Sequence, residues 1–178
     1  MKNLIQSAKD QAAELTMAAY RAAVADGTLL EAEVKTAPVE IPKDTANGDY
    51  TTTFALAASK ALRQPPRNIA QALLDHMDLQ GSYFTSASIA GPGFLNFRLN
   101  GSWYEAVLSA VESEGAAYGT SDALKGEKIM VEFVSANPTG PMHMGNARGG
   151  VLGDTLASVL AAQGADVTRE FYVNDAGH

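Results

Sequence analysis

The sequence contains no cysteine, one tryptophan and three histidines, and each shortage closes off a line of chemistry. Without cysteine there is no disulfide framework, no thiol nucleophile and no thiolate-ligated metal. His76, His143 and His178 are scattered without metal-ligand spacing, so no protein-bound metal is expected. Long apolar runs are also missing. Met1 to Ala25 mixes charges and alanines at helical spacing, which excludes a signal peptide or anchor, and no segment suits a membrane span. The cytoplasm is the expected compartment. Basic residues are outnumbered, 13 Lys+Arg against 20 Asp+Glu for a formal net charge of -7, which argues against sequence-independent binding to a polyanion. Any nucleic-acid contact has to be local and shaped.

What is present is the composition of a globular chain. Apolar residues are 46% of the 178, enough for a sizeable core, and the length allows one large domain or two small ones, of which two are expected. From Lys2 to Ala25, Leu4, Ile5, Ala8, Ala12, Leu15, Ala19 and Ala22 recur every three or four residues, predicting a helix that Gly27 terminates. Loose alternation from Leu29 to Ile41 reads as short strands. Thr51 or Thr52 is the expected cap of a second helix reaching Leu62, which Pro65-Pro66 stops. A third helix covers Arg67 to Met77. Ser82 to Ile89 and the alternating Leu95, Phe97 and Leu99 then form a hairpin around Gly91-Pro92-Gly93. A fourth helix, Ser102 to Glu114, places Trp103, Ala106, Val107, Ala110 and Val111 on one face. These segments predict an α+β domain over residues 1–115, followed by a Gly/Ser/Asp-rich linker, 116–126.

From residue 127 the pattern changes. Lys128 to Val134 is an apolar β-rich run of the kind buried on both faces in parallel sheets, helical periodicity returns from Met144 to Gln163, and Val167 to Val173 makes a second strand. This is a strand, helix, strand crossover whose ligand site lies beyond the carboxyl end of the first strand. Two strands and one helix cannot cover a sheet on both faces, so Phe133, Phe171 and Val173 are expected to lack part of their packing. Residues 127–178 therefore read as a doubly wound domain cut short.

The connecting loop is where chemistry is expected. In SANPTGPMHMGNARGG (135–150), Pro138 and Pro141 stiffen the chain, Gly140 and Gly145 permit close backbone approach, and the amides opening the helix near Gly145 suit an anion. His143 stands beside that position. There is no Gly-Lys-Ser/Thr of a P-loop and no GxGxxG, yet phosphate remains the natural ligand. Arg148, Asp154 and Asp175 read equally as helix or loop charges and as ligands.

The run VEFVSANPTGPMHMGNARGG (131–150) with REFYVNDAG (169–177) resembles the HIGH-motif region of class I aminoacyl-tRNA synthetases, specifically arginyl-tRNA synthetases. IPKDTANGDYTTTFALAASKALRQPPRNIAQAL (41–73) and GPGFLNFRL (91–99) resemble the amino-terminal additional domain of that family. The resemblance implies an α+β additional domain followed by the first βαβ unit of a truncated, Rossmann-like α/β catalytic domain.

It implies that His143 is the first HIGH histidine, contacting ATP phosphates, with Gly145 and Asn146 completing the ATP site and His143 and Asn146 acting in catalysis. Asn146 replaces the second histidine and can donate a hydrogen bond but never carry a positive charge. Glu132, Ser135 and Asn137 are implied to bind L-arginine, Glu132 by carboxylate–guanidinium pairing. Asn47, Asp49, Tyr50, Phe94 and Asn96 are implied to contact the D-loop of tRNA(Arg), with Tyr50 and Phe94 as stacking faces; Lys60, Arg63 and Arg67 are either phosphate contacts or solvated bases. The implied reaction uses ATP with Mg2+ as substrate and forms arginyl-adenylate before transfer to tRNA. The KMSKS-like signature and the anticodon-binding helical domain of that family are not found in these residues. The expected role is the amino-terminal portion of an arginine–tRNA ligase, monomeric in its full length and inactive as this portion alone. The competing reading is a stand-alone tRNA-binding or regulatory fragment.

Overall fold

The computed structural model describes residues 3–137 and 140–173. Pro138, Asp175 and His178, singled out above, lie outside the described residues. The chain divides into two compact units, one ending at Ser113 and one beginning at Glu114.

The first unit opens with helix α1 (Leu4–Ala25), whose first turn is capped by the Asn3 side chain accepting from the Gln6 amide at 3.0 Å. Leu4, Ala8, Ala12 and Ala19 are buried as their spacing predicts, but Ile5 and Ala22 face solvent. The buried face turns instead toward Thr16, Tyr20 and Ala23. Two polar groups make that rotation tolerable. Thr16 returns its hydroxyl to Ala12 O at 2.8 Å, and the Tyr20 hydroxyl accepts the Ala32 amide at 3.0 Å, tying the following extended segment to the helix.

That segment contributes only strand β1 (Val39–Glu40), not several strands. Strand β2 (Tyr50–Thr52) takes the threonines expected to cap a helix. Thr52 is buried within the sheet, and helix α2 (Phe54–Leu62) begins after Thr53 with no side-chain cap. Helix α3 (Pro66–Asp75) has proline in its first turn, where a missing amide hydrogen costs nothing. Strands β3 (Phe84–Ala90) and β4 (Phe94–Leu99) form the expected hairpin. The sheet order is β1-β2-β4-β3, every pair antiparallel. α1, α2 and α3 pack with the sheet around Phe54, Leu62, Ile69, Leu73, Leu95 and Phe97, all fully buried. Because side chains alternate along β4, Asn96 and Arg98 stand on the face opposite that core.

Helix α4 (Gly101–Glu114) buries none of its residues, contrary to the apolar face its spacing suggested. Only Trp103 reaches the core, its indole N–H donating to Leu4 O at 3.1 Å. The carboxyl ends of α1 and α3 are tied together. His76 Nε2 meets Asp26 Oδ2 at 2.6 Å, and its Nδ1 meets Ala72 O at 2.7 Å. A ring that donates on both sides is the imidazolium, so the Ala72 carbonyl and then Asp26 raise the His76 pKa above its ordinary value. Hydrogen bonds from the Thr28 side chain, His76 and the Thr28 amide lower Asp26 to about 2.

The second unit is strand β5 (Lys128–Glu132), helix α5 (Met144–Ala162) and strand β6 (Asp166–Glu170). The two strands pair in parallel, Lys128 opposite Asp166 through Glu132 opposite Glu170. β6 therefore stops three residues before the expected Val173. Residues expected to be a linker are bonded into this framework: the Ser121 amide to Ala162 O at 2.9 Å and the Leu124 amide to Gln163 O at 2.8 Å. α5 lies on the residues just after β5. A Cβ at Gly153 would collide with the Phe133 ring, so glycine is what lets helix and ring touch. Arg169 bridges to Asp154 at 2.9 Å and Ser158 at 3.0 Å, fixing α5 to β6, which gives Asp154 a structural partner. β5 is not buried on both faces as expected. Its residues alternate between exposed and half-buried, and Met130, Val151, Phe171 and Val173 are all exposed.

Candidate functional site

Beyond the carboxyl end of β5 the backbone takes an unusual path. Val134 has φ +62°, a left-handed conformation that a β-branched residue adopts only under strain, and the Ala136 amide closes a three-residue turn onto Val134 O at 2.7 Å. Ser135 Oγ, at this turn, accepts the Tyr172 amide at 3.0 Å, so it joins the loop to the chain leaving β6.

His143 is the N-cap of α5. Its Nδ1 accepts the Gly145 amide at 3.0 Å, while its own amide donates to Asn146 Oδ1 at 3.1 Å. The two side chains thus cap the helix start reciprocally. Room for the ring depends on Gly145, because a Cβ there would lie 2.8 Å from His143 Cε1. In this state the Gly145 amide is occupied and not open to an anion as its position suggested. With Nδ1 accepting, the neutral ring carries its proton on Nε2. Asn146, held through Oδ1, keeps its amino group as a donor.

Glu132 ends β5 exposed, so water, and not a buried counter-charge, solvates it. Its register partner is Glu170. Two carboxylates therefore sit side by side where neighbouring parallel strands end, a local negative field suited to a cation. Asn137 is exposed in the same loop, and Arg148 is exposed on the first turns of α5. Among the described residues no cluster of three or more His, Cys, Asp or Glu could hold a metal ion, and no helix is long and apolar enough to cross a membrane.

The first unit holds a cavity of about 510 Å³, lined by Glu40–Asp44, Asn47, Thr51, Ala90, Gly91, Phe94 and Asn96. Of the five residues expected to contact nucleic acid, Asn47, Phe94 and Asn96 meet here. Asp49 and Tyr50 do not. Asp49 Oδ2 accepts the Leu99 amide at 2.8 Å, and Tyr50 is 4% exposed with its ring edge-on to Phe84 at 6.2 Å, so it offers no stacking face. Burial, then the nearby Asp49 charge, raises the Tyr50 pKa. The strand's alternation accounts for this: on β2 the inward residues are Tyr50 and Thr52, and it is Thr51 that reaches the cavity. Thr51 Oγ1 is buried without a hydrogen-bond partner among the described residues, and Asn96 is 4% exposed. An aromatic wall beside an unpaired hydroxyl and a carboxamide suits a flat heterocycle with mixed donors and acceptors.

Comparison with known proteins identifies the family. Residues 107–178 match the family described as tRNA synthetases class I (R), catalytic domain, which sets the class as class I aminoacyl-tRNA synthetase. Residues 3–99 match the Arginyl tRNA synthetase N terminal domain, and the chain belongs to the arginyl-tRNA synthetase family. It is 47% identical to the arginine–tRNA ligase of Acetivibrio thermocellus over 178 residues, 100% of this chain and 32% of that relative. It is 43% identical to the arginine–tRNA ligase of Caldanaerobacter subterraneus subsp. tengcongensis, again over 100% of this chain and 32% of the relative. The chain thus spans about a third of the length of these curated relatives. The fold is similar to that of an arginyl-tRNA synthetase from Plasmodium falciparum, with TM-score 0.54 and 14% identity over 92% of this chain and 30% of that one.

Proposed function

We propose that this chain is the amino-terminal portion of a cytoplasmic, monomeric arginine–tRNA ligase, with its two units serving tRNA recognition and amino-acid activation. The observation that supports activation is the position of His143: it caps α5, the helix that follows β5 in a parallel crossover, and the start of such a helix is where a doubly wound sheet takes its nucleotide.

In this reading a carboxylate oxygen of L-arginine attacks the α-phosphate of ATP, supplied with Mg2+. Pyrophosphate leaves, and arginyl-adenylate forms. A terminal ribose hydroxyl of tRNA(Arg) then attacks the arginyl carbonyl and AMP leaves. No general base is needed in the first step, so catalysis is positioning and charge stabilisation. An incoming phosphate displaces the His143 ring from the Gly145 amide, which exposes that amide and the Nε2 proton to the same anion. The Asn146 amino group adds a third donor. Glu132 faces the guanidinium of arginine, aided by the field of Glu170, while Ser135 and Asn137 bracket its amino-acid end. Asn47, Phe94 and Asn96, with Thr51, take an unstacked nucleotide of the tRNA.

Arginine-dependent ATP/pyrophosphate exchange, measured with tRNA present in a ligase of full family length carrying this segment, tests the activation site. His143→Ala is expected to lower the rate roughly 10²-fold or more, the scale of losing one preorganised donor. Exchange near the unsubstituted rate would remove His143 from the site. The 178-residue chain alone is expected to show no exchange.

A further inference from the structure

We propose that Arg67 and Arg98 are positioning residues for the first-unit cavity, each fastening one of its walls by a backbone carbonyl; the inference rests on the tRNA reading above. Arg67, at the start of α3, donates from Nη1 to Gly91 O at 3.0 Å. Arg98, on the face of β4 away from the core, donates from Nη2 to Ala46 O at 2.7 Å. Gly91 belongs to the hairpin turn that leads into Phe94, and Ala46 immediately precedes Asn47. The two walls that present the aromatic and the amide are therefore each held by a guanidinium from the folded body.

The surrounding geometry shows that both fastenings seat a preformed wall. The hairpin turn is closed by the Gly93 amide on Ala90 O at 3.3 Å, and Gly93 presses on α3 so closely that a Cβ there would lie 2.9 Å from Pro66 O. Arg67 thus completes a contact that fixes the turn in height and rotation. On the other wall, Asp44 accepts the Ala46 amide at 2.9 Å and the Asn47 amide bonds Asp44 O at 3.0 Å, making one tight turn whose far end reaches β4 through the Asp49 amide on Phe97 O at 2.8 Å. The Arg98 contact, between residues 52 apart in sequence, anchors that turn at its apex. A guanidinium does this well because its planar fork loses little freedom per hydrogen bond. Carbonyl engagement also separates these two bases from Lys60 and Arg63, which are exposed and hold no cavity wall.

The test is aminoacylation kinetics in a ligase of full family length carrying this segment. Arg67→Met and Arg98→Met keep most of the apolar stem and remove the donors. Each is expected to raise KM for tRNA about 3- to 10-fold, the scale of one lost hydrogen bond, with kcat, KM for arginine and ATP, and melting temperature held. The increase from Arg67→Met should vanish in a Phe94→Ala background and that from Arg98→Met in an Asn47→Ala background, because a wall that no longer presents its contact needs no fastening. The salt dependence of tRNA binding should keep its slope. A slope reduced by about 0.7 to 0.9, with the Arg67 effect additive to Phe94→Ala and the Arg98 effect additive to Asn47→Ala, would make the arginines phosphate contacts and overturn the proposal. A lowered melting temperature with unchanged KM for tRNA would reduce them to structural residues and also overturn it. Unchanged KM for tRNA in both Phe94→Ala and Asn96→Ala would instead overturn the tRNA reading itself.

Discussion

The first unit closes a core of aromatic and branched side chains between three helices and a four-stranded sheet, whereas in the second, among the described residues, Ala157 is the one apolar side chain fully out of solvent. The difference lies in how each keeps its shape. Burial organises the first unit, and its cavity is cut into the polar side of the sheet. The second holds its crossover by hydrogen bonds, the Arg169–Asp154 ion pair and a glycine seat, while Val151, Leu152, Phe171 and Tyr172 remain exposed. The site proposed for recognition thus rests on a closed core, and the one proposed for activation on local contacts.

The contrast would break most visibly at Phe97. Phe97→Ala is expected to destabilise the first unit by about 3–5 kcal/mol, as for a large ring removed from a closed core. Urea unfolding followed by the fluorescence of Trp103, the only tryptophan, reads that unit directly. A loss below about 1 kcal/mol would mean the core is far less closed than its packing indicates.

A smaller effect with an unexpected sign tests the second unit. Helix propensity alone says that Gly153→Ala should stabilise α5 by about 1 kcal/mol. The Phe133 ring against that glycine says it should destabilise by about 1–3 kcal/mol instead. Amide hydrogen exchange along α5 decides between the two, and increased protection would show that the helix does not rest on Phe133.

The smallest effect is the pH response of the Asp26–His76 tie. His76 has a raised pKa, so its contribution is complete below the ordinary histidine value near 6.5 and is lost as pH rises through the raised value. Asp26 has a lowered one, so its contribution is complete above the ordinary 3.8 and is lost as pH falls toward about 2. Stability of the first unit should therefore be greatest between these limits, and His76→Gln should remove the alkaline decline. A decline that survives the substitution would assign it to other groups.

Much of this division was legible in the sequence, for identifiable reasons. α1, the hairpin and the parallel crossover are written in periodicities of 3.6 and 2, and those depend on which residues repeat and not on partners elsewhere. The position of His143 was legible because a loop between a β-rich run and a helix has only one place to go. Its cap was not, since a histidine ring accepting from Gly145 depends on loop torsions that periodicity does not report. β2 was hidden because three consecutive threonines read equally well as caps and as strand. The outward placement of Thr51 and inward placement of Tyr50 followed from that phase. The arginine fastenings were illegible for another reason: they join residues 24 and 52 apart, and their acceptors are carbonyls, which every residue has.

Val134 shows what the second unit gives up for direction. Glycine would accept φ +62° freely, but it would accept many other angles as well. Valine tolerates that angle at a cost of roughly 1–3 kcal/mol, and its branched side chain leaves few alternatives. An engineer seeking a hardier protein would relieve such a residue first. Here the relief would also free the backbone at the start of the loop that leads to His143, so the change that most easily improves shelf life falls beside the site proposed for activation.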